Sequence, residues 1–152
     1  MLPDPKKIKI ILATDHAGFE LKENVKDWLQ SEGYTVEDFG AFEYDGDDDY
    51  PDYIQPAARV VAHSPGAMGI IFGGSGQGEA MAANRVKGAR AAVYYDGPEA
   101  IVRLSRQHNN ANILSLGARF ISFAKARDVI ALWLKEPFAG ERHERRIRKL
   151  DD

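Results

Sequence analysis

Residues 68–86 read MGIIFGGSGQGEAMAANRV, and this stretch holds the transition on which the fold turns. Met68 to Phe72 is a short apolar run suited to a strand covered on both faces. Four glycines follow in six residues, Gly73-Gly74-Ser75-Gly76-Gln77-Gly78, and a helix is expected through Ala80 to Val86. Glycine admits positive φ and close backbone approach, so peptide N–H groups can converge on an anion where the helix begins. The plainer reading is a tight strand-to-helix turn, but such connections rarely use so many glycines.

Known glycine signatures do not fit. A dinucleotide fingerprint starting at Gly74 needs glycine where Glu79 stands. A Walker A loop needs Lys after its last glycine, and Gly78 is followed by Glu79. A hydrolase elbow centred on Ser75 needs glycine at Gln77.

Upstream, Ile8 to Thr14 reads as a first strand. Leu21, Val25, Trp28 and Leu29 then mark one helical face that Gly33 would end. Tyr34 to Phe39 reads as a second strand. The acidic stretch Tyr44 to Asp52 reads as a solvated loop, since Gly46 and Pro56 spoil a calcium-loop pattern. Ile54, Ala57, Ala58 and Val61 put a small apolar stripe on a second helix. Downstream, Ala89 to Tyr95 and Asn112 to Leu116 read as strands four and five. Between them a helix carrying Ile101 and Leu104 is expected to start near Asp96, with Pro98 and Glu99 in its first turn. Val129, Ile130, Trp133 and Leu134 mark a further amphipathic helix, and Pro137 separates it from a basic C-terminal one.

Five strand–helix units without a break in composition predict one domain over residues 1–152. The expected class is α/β: a three-layer, Rossmann-like arrangement with a five-stranded parallel sheet, helices on both faces and a C-terminal helical arm. Ligands in such sheets bind beyond the carboxyl ends of the strands. Asp15-His16, the glycine loop with Glu79, and Arg119 all fall there, whereas His108 closes the fourth helix just before the fifth strand.

The composition narrows the chemistry. With 152 residues, 44% apolar, 28% charged and a net charge of -3, the chain carries no global footprint for nucleic acid or an anionic membrane. It has no cysteine, which excludes thiolate nucleophiles, disulfides and sulfur-bound zinc. The opening MLPDPKK runs into an apolar stretch too short for a signal or a membrane span, so a cytoplasmic location is expected.

Each remaining candidate has a bland reading beside a functional one. Glu79 is either a dipole-stabilising acid at a helix start or, in a dry pocket, a usable base. Asp15 is an N-cap or a site carboxylate, and His16 beside it would face the ligand edge. His108, followed by Asn109 and Asn110, is a favourable cation in a last helical turn or part of a polar site. Arg142 and Arg146, four apart, share a face that is solvated or grips a phosphate.

Taken together, Asp15-His-Ala-Gly-Phe-Glu-Leu-Lys22, Asp49-Tyr-Pro51, Gly73–Glu79, Ala82-Ala-Asn84, Ser105-Arg-Gln-His-Asn-Asn110 and Arg142-His-Glu-Arg-Arg146 resemble the type B ribose-5-phosphate isomerases. These share a fold with the galactose-6-phosphate isomerase subunits. Many members carry a cysteine base just before the Gly-Ser/Thr-Gly step, where this chain has Gly73. A second branch, familiar from mycobacteria, has a glutamate at the helix start, which Glu79 matches.

The resemblance implies that Glu79 carries a proton between C1 and C2 of an aldose phosphate through a cis-enediolate. It implies that Ser75 and the N–H groups around Gly74, Gly76 and Gly78 hold the enediolate oxygen. It puts His108 at ring opening with Asp15 near the ring oxygens, and Asn109 on sugar hydroxyls. It implies that His16, Arg119, Arg142 and Arg146 hold the phosphate. It further implies a homodimer or dimer of dimers with shared active sites, no metal and no cofactor. Allose 6-phosphate, galactose 6-phosphate or a tetrose phosphate stand as alternative substrates. A non-catalytic phosphate- or nucleotide-binding module and, more remotely, a serine hydrolase using Ser75 stand as alternative functions.

Overall fold

A computed structural model describes residues 2–152. Five parallel strands, β1 (Lys9–Thr14), β2 (Thr35–Asp38), β3 (Ala67–Gly73), β4 (Ala91–Tyr94) and β5 (Ile113–Gly117), form one sheet in the order β2-β1-β3-β5-β4. Six helices connect and flank them: α1 (Phe19–Ser31), α2 (Tyr50–His63), α3 (Gln77–Asn84), α4 (Ala100–Gln107), α5 (Phe123–Lys135) and α6 (Arg142–Arg148). Among the described residues, no helix is long and apolar enough to cross a membrane.

Strand side chains alternate between the two faces, so neighbouring residues enter different cores. Ile10, Leu12, Ile70, Phe72, Leu114 and Leu116 pack with Val25 and Leu29 of α1, Val102 of α4 and Val129, Ile130 and Trp133 of α5. Ile11, Ala13, Ile71 and Ile113 pack with Ile54, Ala57, Ala58 and Val61 of α2 and with Ala82 and Ala83 of α3. The expected sheet with helices on both faces is therefore observed.

The strand order places the site. From β1 the chain steps to β2 on one side and then crosses back to β3 on the other. α1 and α3 accordingly leave the sheet toward opposite faces. A crevice opens where they diverge, at the carboxyl ends of β1 and β3. Thr14 spans its floor, donating from Oγ1 to the Phe72 carbonyl at 3.0 Å.

Lys22 fixes one wall. It is fully buried on α1, and its Nζ donates to both Asp38 oxygens at 2.8 and 2.7 Å and to the Ala41 carbonyl at 2.7 Å. Thr14 adds backbone bonds to Gly40 and Ala41 at 2.7 and 2.8 Å. The segment after β2 is thereby anchored at the mouth of β1.

Two expectations need correction. The fourth helix begins at Ala100 with Glu99 as its cap residue, later than the Asp96-Gly-Pro signal implied, and no cap side chain bonds to it. Asp96 instead accepts from the Gly97 N–H at 2.8 Å, closing a turn that competes with a helix start. Ile101 and Leu104 lie on that helix but face outward, while Val102 and Ser105 are buried. The loop after β2 is shorter than expected, because Pro51 sits in the first turn of α2, which begins at Tyr50.

Candidate active site

The glycine loop is held from one side. The Gly73 carbonyl accepts from Ala118 N–H at 2.8 Å, the Gly74 carbonyl from Arg119 N–H at 3.1 Å, and the Gly76 carbonyl from Ser115 Oγ at 2.6 Å. In a trans peptide the next N–H points the opposite way. The amides of Gly74 and Ser75 are therefore turned away from the β5 side, toward β1 and the crevice. Gly76 takes φ 79° at the start of α3, and a Cβ there would press on the Leu116 backbone. Ser75 Oγ accepts from the Gln77 N–H at 3.2 Å, so its oxygen is held at the first turn of α3. Gly78 lies under the Tyr50 ring, where a Cβ would come within 2.9 Å of Cζ.

Glu79 faces inward from the first turn of α3 and is only 4% exposed. A Cβ on Gly73 would overlap the Glu79 carboxylate. The carboxylate thus fills the volume that the missing Gly73 side chain leaves at the end of β3. Burial is the main cause that pushes the Glu79 carboxyl above the usual glutamate range. Its own backbone N–H opposes the shift, the nearby Asp15 charge adds to it, and Arg119 opposes it. Desolvation thus outweighs the favourable helix start, and the Glu79 carboxyl holds its proton more tightly than an ordinary glutamate.

Asp15 and His16 stand across the crevice. Asp15 is 7% exposed, and its Oδ1 accepts from the Ala17 N–H at 3.0 Å, so it caps the short 3-10 turn His16–Gly18 and also faces Glu79. His16 shares a cavity of about 600 Å³ with Arg119 and Tyr44. Its Nδ1 lies 2.7 Å from Asp48 Oδ1, and that hydrogen bond is the main cause raising the imidazole above its ordinary range. The acidic loop is thus not uniformly solvated as expected, since the Asp48 side chain is only 5% exposed. Asp15, His16 and Asp48 bring potential ligand atoms within 4.8 Å of one another. The His16–Asp48 hydrogen bond and the Asp15 cap on the adjoining turn account for that closeness. Asp48 and the edge-on Tyr44 ring lie beside these candidates and were not singled out from the sequence, whereas Tyr50, over Gly78, belongs to the Asp49-Tyr-Pro51 motif.

The remaining candidates form a second cluster. His108 caps the end of α4, and its ring stacks on His143 of α6 at 4.3 Å with planes 14° apart. Asn109 and Arg146 line the same hollow, about 270 Å³. Burial, followed by the charges of His108, Arg142 and Arg146, lowers the His143 imidazole. α6 is therefore not a free arm. It packs on its own chain, and Asp151 just beyond it accepts from the Gly88 N–H at 3.1 Å.

In the β3–β5 register Gly69 pairs with Ile113 and Gly73 with Gly117. His108 precedes the start of β5 while Glu79 follows the end of β3. The two clusters thus lie at opposite edges of the sheet, separated by about 13 Å of strand.

The model of the Ribose/Galactose Isomerase family matches residues 10–150. The chain belongs to this family. The curated ribose-5-phosphate isomerase B of Mycobacterium leprae is 41% identical over 141 residues, covering 92% of this chain and 86% of that protein. A ribose 5-phosphate isomerase crystal structure from Thermotoga maritima superposes with a TM-score of 0.88 at 44% identity, covering 95% of this chain and 97% of that one. The Mycoplasma genitalium ribose-5-phosphate isomerase B, solved with bound ribulose 5-phosphate, gives 0.87 at 39% identity, over 94% and 93% of the two chains. Within this isomerase family the present chain combines Gly73 with Glu79 in the geometry just described.

Burying an ionisable carboxyl without a cationic partner in direct contact opposes folding at neutral pH. Because the folded state holds the Glu79 proton more tightly than the unfolded chain, this strain grows as pH rises from the ordinary glutamate range through the raised value. Glu79→Gln is expected to stabilise the protein by about 0.5–2 kcal/mol at neutral pH, as relief of a strained site commonly does. Thermal denaturation across pH checks this. The gain should shrink to nothing in acid below the ordinary glutamate range, where both forms are neutral.

Proposed function

We propose that this protein interconverts ribose 5-phosphate and ribulose 5-phosphate by proton transfer. The observation that carries the reading is the buried Glu79 carboxyl, packed against Gly73 of the glycine loop in a chain of the ribose/galactose isomerases. The Mycoplasma genitalium relative holds ribulose 5-phosphate, the ketose of this pair.

In the open-chain aldose, Glu79 takes the C2 proton. The electron pair forms the C1–C2 double bond, and the carbonyl oxygen on C1 becomes the enediolate oxygen. Ser75 Oγ and the N–H groups of Gly74 and Ser75 hold that oxygen, with Gly76 and Gly78 giving the backbone room to close around it. A proton moves from O2 to O1, Glu79 returns its proton to C1, and the carbonyl is left at C2. A base whose ionisation is held up by burial suits both taking and returning a proton near neutral pH. Asp15 lies near the ring oxygens, and His16 and Arg119 take the phosphate.

His108, Asn109, Arg142 and Arg146 serve the same substrate from a second copy of the chain. One chain holds the two clusters at opposite edges of its sheet, so a symmetric pair is needed to bring them together. Support comes from the surface along the outer edge of β4. Hollows of about 590, 380 and 270 Å³ follow one another there, from Gln77 beside the glycine loop to His108, sharing Asn84 and then Asn109 and Leu150. Exposed Met81, Tyr95, Ile101 and Leu150 line them. Asn84 covers the strand edge itself, exchanging hydrogen bonds with Ala91 at 2.8 and 3.0 Å.

The family's description also names galactose, so six-carbon aldose phosphates are the second reading. Purified protein assayed against four-, five- and six-carbon aldose phosphates should turn over ribose 5-phosphate fastest, with no loss after exhaustive chelation. Glu79→Gln should lower that rate by about 10³- to 10⁴-fold while still binding substrate. A six-carbon optimum, or metal-restored activity after chelation, overturns the assignment. For the shared site, Glu79→Gln and His108→Ala dimers, each inactive, should on mixing and subunit exchange regain about a quarter of wild-type activity. No recovery despite proven exchange places both residues in one chain's site.

A further inference from the structure

The segment between β2 and α2 contributes a residue that no step of the proposed reaction uses. Asp48 Oδ1 accepts twice from one residue: from the backbone N–H of His16 at 3.1 Å and from its ring Nδ1 at 2.7 Å. The Asp48 side chain is 5% exposed while His16 is 25% exposed, so the carboxylate is buried behind an imidazole that reaches the cavity. The second Asp48 oxygen is buried and has no hydrogen-bond partner among the described residues. The anchoring of the segment is also elaborate: Lys22, Asp38 and Thr14 tie its start to α1 and β1, and Tyr44 meets the His16 ring edge-on at 6.0 Å.

We propose that Asp48 is a positioning residue for phosphate recognition, holding the His16 ring by Nδ1 so that Nε2 presents an N–H to the anion at the mouth of the crevice. This rests on the reading that the phosphate sits against His16 and Arg119, and it extends that reading to a residue outside the contact shell. With Nδ1 committed to the carboxylate, Nε2 is the nitrogen left for the ligand, and an imidazolium there offers both charge and a directed donor. The groups facing His16 are Asp15 from the end of β1, Asp48 from the β2–α2 segment, Arg119 from beyond β5, and Glu20 and Glu23 from α1. Arg119 opposes the charged ring, and Asp15 and Asp48 favour it, with the Asp48 bond the largest contribution. Asp48 thereby lets two cations, His16 and Arg119, share one small cavity.

The test uses Asp48→Asn, which keeps shape and an acceptor oxygen, with Asp48→Ala as a second variant and His16→Asn as a reference. NMR titration of the His16 ring without substrate should show it losing its proton at lower pH in Asp48→Asn than in wild type. The dissociation constant for inorganic phosphate and KM for ribose 5-phosphate should rise about tenfold above neutral pH, as expected for losing one charge-assisted hydrogen bond. The rise should narrow as pH falls and the ring is protonated in both proteins, while kcat changes less than threefold. Asp48→Asn in a His16→Asn background should add no further loss. If His16 titrates alike in all Asp48 variants, or the KM rise is the same at every pH, Asp48 does not position His16. If no sugar phosphate is turned over by wild type, the isomerase reading fails, while the titration and phosphate binding still decide the Asp48 role.

Discussion

The arrangement on which the rest depends is a carboxylate lodged in the space of a missing side chain. Glu79 reaches back from the first turn of α3 into the volume that a Cβ on Gly73 would occupy. Removing an ionised carboxylate from water costs several kcal/mol when no partner compensates it. The fold tolerates this because the loop between Gly73 and Glu79 is tied by its carbonyls to Ser115, Ala118 and Arg119 and cannot relax outward. The same ties leave amides free to face the crevice. The proposed base and oxyanion donors are thus set by one short stretch of backbone.

Electrostatics then divides the crevice. Within it the Asp15 charge adds to the burial that raises the Glu79 carboxyl. His16 and Arg119 share one cavity, with the Asp48 carboxylate behind the histidine favouring the charged form of its ring. At the opposite sheet edge the His108–His143 stack keeps a second polar cluster close to exposed Arg142 and Arg146, unused within its own chain.

Much of this was legible in the residues. The alternation of apolar runs with helical stripes specified five parallel strands, because strand and helix periods differ and each must bury a face. The position of Asp15, His16, the glycine loop and Arg119 at one edge followed from strand direction alone. The burial of Glu79 did not, since a carboxyl at a helix start looks the same whether it faces water or core. Asp48 was hidden in a run of acids whose composition suggested a solvated loop; its contact with His16 depends on Lys22 and Thr14 anchoring the segment from afar. The start of α4 was misplaced because Asp96 closes its own turn rather than capping a helix. The folding of α6 onto its own chain rests on aromatic stacking and one distant carboxylate contact, which no local pattern announces.

The claim that Glu79 moves a proton between adjacent carbons is tested most directly by turnover in heavy water. With ribose 5-phosphate as substrate, the account predicts solvent deuterium at C1 of the ribulose 5-phosphate formed, and loss of that incorporation together with turnover in Glu79→Gln. Product free of solvent deuterium, formed by Glu79→Gln at an undiminished rate, would mean that hydrogen passes directly between the carbons and that the buried carboxyl has another purpose.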